Sequence, residues 1–169
     1  MTVRNFYWLY EGVIAGSGLP GGEMNRRAAF PFGASHGESL DSDLRWLKHQ
    51  GIGAILSLTE APLPADALAE HALVVTHLPI DDQTAPSMRD FLAALDFIDQ
   101  QVGAGRGVLV HCRVGEGRTA SILAAYLIRQ GAIPQEALAQ LRAIRPGAIS
   151  ASAQEAALQR FASGREWII

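Results

Sequence analysis

The sequence predicts an α/β fold, a mostly parallel central sheet flanked by helices. Two observations predict it. Short apolar runs of strand length alternate with helical patterns along the 169 residues, and that alternation is the signature of helices packed on a parallel sheet. The last strand-like run, Gly107-Val108-Leu109-Val110, leads through a glycine-punctuated loop directly into the helical run Ala120–Ile128. Open sheets of this kind hold their ligands at the carboxyl ends of strands, where such loops lie.

The elements follow in order. Gly12 to Gly16 reads as a short strand, followed by a turn-rich loop over Gly16-Ser17-Gly18-Leu19-Pro20-Gly21-Gly22. That loop has neither a GK[ST] ending nor dinucleotide-binding glycine spacing, so a nucleotide site is rejected. Ser39 to Gln50 is helical, because Leu40, Leu44 and Leu47 share one face and Gly51 is a natural residue just past a helix end. Ile52 to Leu58 is a buried strand, Ala65 to His71 a short helix, and Leu73 to Leu78 a further strand. Ser87 and Asp90 form a capping-box-like pair ahead of a helix with Phe91, Leu92, Leu95 and Ile98 at helical spacing. Val108 to His111 is a core strand, and Ala120 to Ile128 a buried helix. Pro134 opens a helix that runs to about Ile144, and Ser150 or Ser152 opens the last one. The cluster Phe6-Tyr7-Trp8-Tyr10 reads as packing rather than as a ligand platform.

Bulk properties narrow the function. Hydrophobic residues make up 49% and charged residues 18%, with no repeat or linker, so residues 1–169 are read as a single domain. A net charge of −3 predicts no general attraction to nucleic acid or anionic membrane. The one cysteine, Cys112, excludes an internal disulfide and fits a reducing cytoplasm. The aromatic run near the start is cut short by Glu11 and Gly12 and is not a convincing signal peptide. The Ala120 helix is far shorter than the roughly 20 residues that span a bilayer. His36, His49, His71 and His77 lack metal-ligand spacing. No metal or cofactor is expected, and nothing demands an oligomer.

The chemistry concentrates in His111-Cys112-Arg113-Val114-Gly115-Glu116-Gly117-Arg118-Thr119. A strand, a tight loop and a helix start make a cradle of backbone N–H groups for an anion. A cysteine facing that cradle is favoured as a thiolate by the helix terminus and by the nearby arginine. Gly115 and Gly117 let the loop turn its amides inward. Arg118 offers the planar fork that grips a phosphoryl group, which lysine lacks. The backbone amides of this loop form the expected anion cradle, with the Arg113 side chain at the rim. A thiolate attacking a phosphomonoester also needs a proton donor for the leaving oxygen. The proline-bounded loop Leu78-Pro79-Ile80-Asp81-Asp82-Gln83-Thr84-Ala85-Pro86 supplies Asp81 and Asp82, if its strand neighbours the one ending at His111.

These residues resemble the signature of the cysteine-dependent protein tyrosine and dual-specificity phosphatases: His-Cys, five residues, then Arg and Ser or Thr. The compact prokaryotic dual-specificity-like branch is the most similar. Asn5-Phe6-Tyr7-Trp8 with Gly16–Pro20, the segment from Leu44 to Glu60, and Ile144–Ile149 are similar to its landmarks, so the resemblance covers nearly the whole chain. It implies a phosphotyrosine-phosphatase-like fold of the dual-specificity type. It implies that Cys112 forms a phosphocysteine and that Thr119 hydrogen-bonds the leaving thiolate. It also implies that the Arg118 side chain and the amides of Arg113, Val114, Gly115, Glu116, Gly117 and Arg118 hold the phosphoryl oxygens. His111 would orient the loop. In the family pattern Pro-Ile-x-Asp the acid aligns with Asp82, with Asp81 as the fallback. Gln154 falls where related enzymes sometimes carry a glutamine near the site.

Ala120 departs from the family, which often has glycine there. Glu116 departs too: a carboxylate at the rim should disfavour polyanionic inositol lipids and favour a phosphorylated protein, with phosphotyrosine first, or another simple monoester. Other readings compete with a phosphatase. One is a phosphate-binding pseudophosphatase, a module on the same fold. Others are a small-metabolite or inositol phosphatase, a sulfurtransferase and an arsenate reductase. The last usually needs further cysteines, which this chain does not have.

Overall fold

The computed structural model describes residues 3–22 and 36–164. The described elements are β1 (Tyr7–Tyr10), β2 (Ile14–Ser17), α1 (His36–His49), β3 (Ile52–Ser57), α2 (Ala65–Glu70), β4 (Val74–His77), α3 (Met88–Gly103), β5 (Gly107–His111), α4 (Arg118–Arg129), α5 (Pro134–Ile144) and α6 (Ser152–Ser163). The strands form one sheet in the order β1-β2-β5-β3-β4. Only β1 runs antiparallel; β2, β3, β4 and β5 are parallel to one another.

The sheet is covered on both faces. Along β5, Val108 and Val110 enter the larger core with residues of α3, α4, α5 and α6, while Leu109 enters the smaller core with Leu44 and Leu47 of α1 and Leu68 of α2. In β3, Ala54 and Leu56 face the first core and Ile55 the second. This two-residue alternation puts apolar side chains on both faces, so the strands read in sequence as unbroken apolar runs.

Local chemistry sets the helix ends. Ser87 Oγ accepts from Asp90 N at 3.2 Å, and Asp90 Oδ2 accepts from Ser87 N at 2.8 Å, a complete capping box for α3. Pro134 occupies the first turn of α5. Gly51 follows α1 with φ 87°. Among the described residues no helix is long and apolar enough to cross a membrane.

Three elements differ from the sequence reading. The aromatic run expected only to pack is a strand: Tyr7 and Leu9 turn inward while Trp8 is half-buried and Tyr10 exposed. Its period of two is hidden because every residue in it is apolar or aromatic. The first expected strand, Gly12 to Gly16, is displaced to Ile14–Ser17, because Glu11 and Gly12 form the turn of the β1–β2 hairpin, with Gly12 at φ 73°. The helix expected from Ala120 starts earlier, at Arg118.

Candidate active site

Three sheet strands end together. Ser17 of β2 and Ser57 of β3 both stand opposite His111, the last residue of β5. The segments after β3, β4 and β5 therefore open on one edge of the sheet, the arrangement needed to bring the acid loop to the cysteine loop. Cys112 lies directly beyond β5, almost fully buried at 2% exposure. Its Sγ accepts a hydrogen bond from Gly115 N at 3.3 Å. The loop thus curls its backbone around the sulfur, as an anion cradle must.

The carbonyls of the loop have their own partners. His111 Nδ1 lies 3.2 Å from Cys112 O, a contact that places the proton on Nδ1 because the carbonyl can only accept. Ile149 N donates to Glu116 O at 2.9 Å, and Ser121 donates to Gly117 O through its amide at 2.9 Å and its hydroxyl at 2.8 Å. His111 is fully buried, and burial, with Arg118 and His77 adding positive charge nearby, holds its imidazole down to about 4. It is a neutral, buried ring whose Nδ1 braces the Cys112 carbonyl.

Arg118 begins α4 and is 1% exposed. Its Nη1 donates to Ile80 O at 2.7 Å and to Glu60 Oε2 at 3.3 Å, and its Nη2 donates to Asp82 Oδ1 at 2.8 Å. The guanidinium therefore ties the cysteine loop to the segments after β3 and β4. Of the two acid candidates, Asp82 is the one turned to the site: besides Arg118 it faces Arg113 Nη1 at 3.5 Å. Asp81 is exposed and contributes its carbonyl to the turn, accepting from Thr84 N and Oγ1. Gln83, next to Asp82, is held at φ 61°.

Glu60 was missed by the sequence reading. It accepts from Asp82 N at 2.8 Å as well as from Arg118. Its carboxyl is held below the usual range by a hydrogen bond from its own amide, with further help from the Asp82 amide and Arg118, against some burial. Its position just beyond the strand beside β5 was the available signal. Gln154, the weakest of the expected site residues, lies at the seam of the two loops. Its Nε2 donates to Thr84 O at 3.2 Å, and a Cβ on Gly117 would sit 2.7 Å from that same nitrogen.

Thr119 Oγ1 is buried and has no hydrogen-bond partner among the described residues, while the sulfur takes its hydrogen bond from Gly115 N. Glu116 does not present a bare carboxylate at the rim. Arg145 Nη2 donates to its Oε1 at 2.5 Å, so the carboxylate is paired with a cation beside the loop. Val114 is half-buried and Arg113 is exposed, both on the loop where the sequence placed them. Among the described residues no group of three His, Cys, Asp or Glu side chains is arranged to hold a metal.

A family model described as a polymorphic toxin system DSP-PTPase phosphatase matches residues 33–132, which include β5, the cysteine loop and the acid loop. The chain belongs to the DSP-PTPase phosphatase family. Its relatives include the phosphatidylglycerophosphate phosphatase PTPMT1 of Arabidopsis thaliana, 32% identical over 128 residues, which are 71% of this chain and 37% of that protein. The dual specificity protein phosphatase 22-B of Danio rerio is 29% identical over 132 residues, 75% of this chain and 70% of that protein. Against the two Arabidopsis phosphatidylglycerophosphate phosphatases, this DSP-PTPase chain spans 37% and 54% of their lengths. The crystal structure of Tk-PTP in the active form superposes with a TM-score of 0.75 at 29% identity, covering 94% of this chain and 97% of that one.

Proposed function

We propose that this chain hydrolyses phosphomonoesters through a phosphocysteine intermediate, with phosphorylated protein as substrate, a reading supported by the DSP-PTPase family model and the dual-specificity relative. The observation that carries the reading is the buried Arg118 fork, which joins the loop of Cys112 to the Asp82 carboxylate at 2.8 Å.

In this mechanism the substrate phosphate enters the loop and takes the Arg118 Nη2 position now held by Asp82. Relieved of its cation and set beside a dianion, Asp82 can carry the proton that the leaving group needs. The Cys112 thiolate attacks phosphorus. An S–P bond forms as the ester P–O bond breaks, and the leaving oxygen takes the proton from Asp82. Water then attacks the phosphocysteine and gives its proton to the Asp82 carboxylate. The S–P bond breaks, releasing phosphate and restoring the thiolate. Thr119 Oγ1, buried and without a partner, is the hydroxyl available to stabilise the sulfur as it leaves. Preorganised amides and Arg118 stabilise the charge on the equatorial oxygens throughout, without reorganisation at the moment of reaction. A thiolate nucleophile works best in a reducing compartment, so we place the reaction in the cytoplasm.

A second reading, a lipid phosphomonoester as substrate, is favoured by a specific pair of observations. A relative at 32% identity is named for phosphatidylglycerophosphate, and Arg145 neutralises the Glu116 charge that would repel a polyanionic headgroup. The deciding experiment compares turnover of a phosphotyrosine peptide, a phosphothreonine peptide and phosphatidylglycerophosphate in vesicles, with Cys112→Ser as the control. Hydrolysis that vanishes in Cys112→Ser, with a phosphoryl group trapped on acid-quenched wild type, is the expected result. Unaltered hydrolysis in Cys112→Ser rejects the covalent route, and preference for the vesicle substrate moves the assignment to the lipid.

A further inference from the structure

An N–H cradle works only if its carbonyls are held away from the anion. In a trans peptide the C=O and the following N–H point in opposite directions, so a donor placed behind each carbonyl fixes the amide in front. The carbonyls of Cys112, Glu116 and Gly117 have such donors, described above. The three between them are held by the N-terminal hairpin and the residues flanking it. Leu19 N donates to Arg113 O at 3.2 Å, Asn5 Nδ2 to Val114 O at 2.9 Å and Tyr7 Oη to Gly115 O at 3.0 Å. The residues that donate these bonds lie outside the segment 33–132 shared with the family model.

We propose that Asn5 and Tyr7 are positioning residues that keep the phosphate cradle open, acting through the loop peptides and without touching substrate. The proposal rests on the phosphatase reading of the same loop and assigns two residues to it. The Val114–Gly115 peptide shows the coupling directly: Asn5 grips its oxygen, and its N–H donates to Cys112 Sγ at 3.3 Å. The Gly115–Glu116 peptide is the other gripped unit, with Tyr7 on its oxygen and its N–H turned to the opposite side.

The hairpin is shaped for this task. Asn5 sits at φ 55°, a left-handed conformation that asparagine tolerates better than most residues. Tyr7 reaches the loop by crossing β2 at Gly16, where a Cβ would stand 2.5 Å from its Cζ. Gly115 has φ 88°, and a Cβ there would meet the Ser17 carbonyl carbon at 2.6 Å, so hairpin and loop are in backbone contact. The Tyr7 hydroxyl is kept protonated, as a donor must be: burial first, and then the charge of Cys112, push it above the ordinary phenol range.

The hydroxyl and amide deletions Tyr7→Phe and Asn5→Gly isolate the two bonds. Phenylalanine keeps the ring in its slot, and glycine keeps the left-handed backbone accessible. Tyr10→Phe, on the exposed end of the same strand, is the control. Binding of tungstate, an inert phosphate mimic, is measured by calorimetry on each variant, alongside melting temperature and the steady-state constants for an aryl phosphate. We expect each of the first two variants to bind tungstate roughly tenfold more weakly, the scale of one lost bond to a buried carbonyl. We expect kcat/KM to fall by a similar factor, and Tyr10→Phe to match wild type. Should one variant fail to fold, the other still decides. Tungstate affinity within twofold of wild type in a folded Tyr7→Phe or Asn5→Gly overturns the role of that residue, and a wild type that binds no oxyanion overturns both. A wild type that binds tungstate but hydrolyses nothing removes the catalytic reading, while the binding comparison still judges the brace.

Discussion

Arg118 and Asp82 meet at 2.8 Å, so the acid occupies the fork that a substrate phosphate needs. The same aspartate that we propose as the proton donor is thus a competitor for the ground state. Replacing it by a neutral isostere separates the two roles. Asp82→Asn is expected to bind tungstate a few-fold more tightly, because no carboxylate must be displaced. Its kcat for an aryl phosphate is expected to drop roughly 10²- to 10³-fold, in the range for loss of a general acid, with the basic limb of the pH–rate profile flattened. Calorimetry and steady-state kinetics on one preparation give both numbers. Weaker tungstate binding in Asp82→Asn would show that the aspartate supports the fork and does not compete for it.

Glu116 and Arg145 set the charge beside the cradle. The pair is half-exposed, with side chains 38% and 24% accessible, and only local geometry makes it matter. Arg145→Met keeps the apolar stem and strips the cation, leaving the Glu116 carboxylate facing an incoming dianion. Oxyanion affinity is expected to fall roughly three- to tenfold at low salt and to recover partly at high salt as the charge is screened. Adding Glu116→Gln to that variant should restore most of the loss. Affinity unchanged in Arg145→Met would mean that the carboxylate lies too far from the bound anion to act on it.

The cysteine loop was legible because its residues are contiguous and their chemistry is specific: one cysteine, two glycines and an arginine at a helix start. Asp82 was nearly so, since a proline-bounded loop after a strand announces itself, although nothing in the sequence alone separates it from Asp81. What escaped was set by packing across the sheet edge. Glu60 looks like any polar residue after a strand until β3 is known to lie beside β5. Two partners of the loop carbonyls, Asn5 and Tyr7, lie more than a hundred positions away in the chain. Arg145 was equally silent, so its pairing with Glu116 could not be read from the sequence.

His111 makes stability depend on pH in a definite direction. Its imidazole titrates at about 4 in the folded chain against an ordinary 6.5, because it is fully buried beside Arg118 and His77. Its folded value is depressed, so the unfolded chain binds the proton first as pH falls. The stabilisation is complete above about 6.5 and is lost as pH drops from there through about 4. By pH 4.5 the loss amounts to about 2 to 3 kcal/mol, at about 1.4 kcal/mol for each unit of separation. Carboxylates titrate in the lower part of that window too, so the comparison is made against His111→Asn, whose amide can still donate to Cys112 O and carries no titrating proton. Urea midpoints at pH 7.5 and 4.5 are the measurement. The wild type is expected to lose more stability than the variant between those two values, by roughly the amount stated. Midpoints that fall in parallel would mean that the ring gains its proton without leaving the fold, and that the buried, unpartnered Nε2 has a route to water.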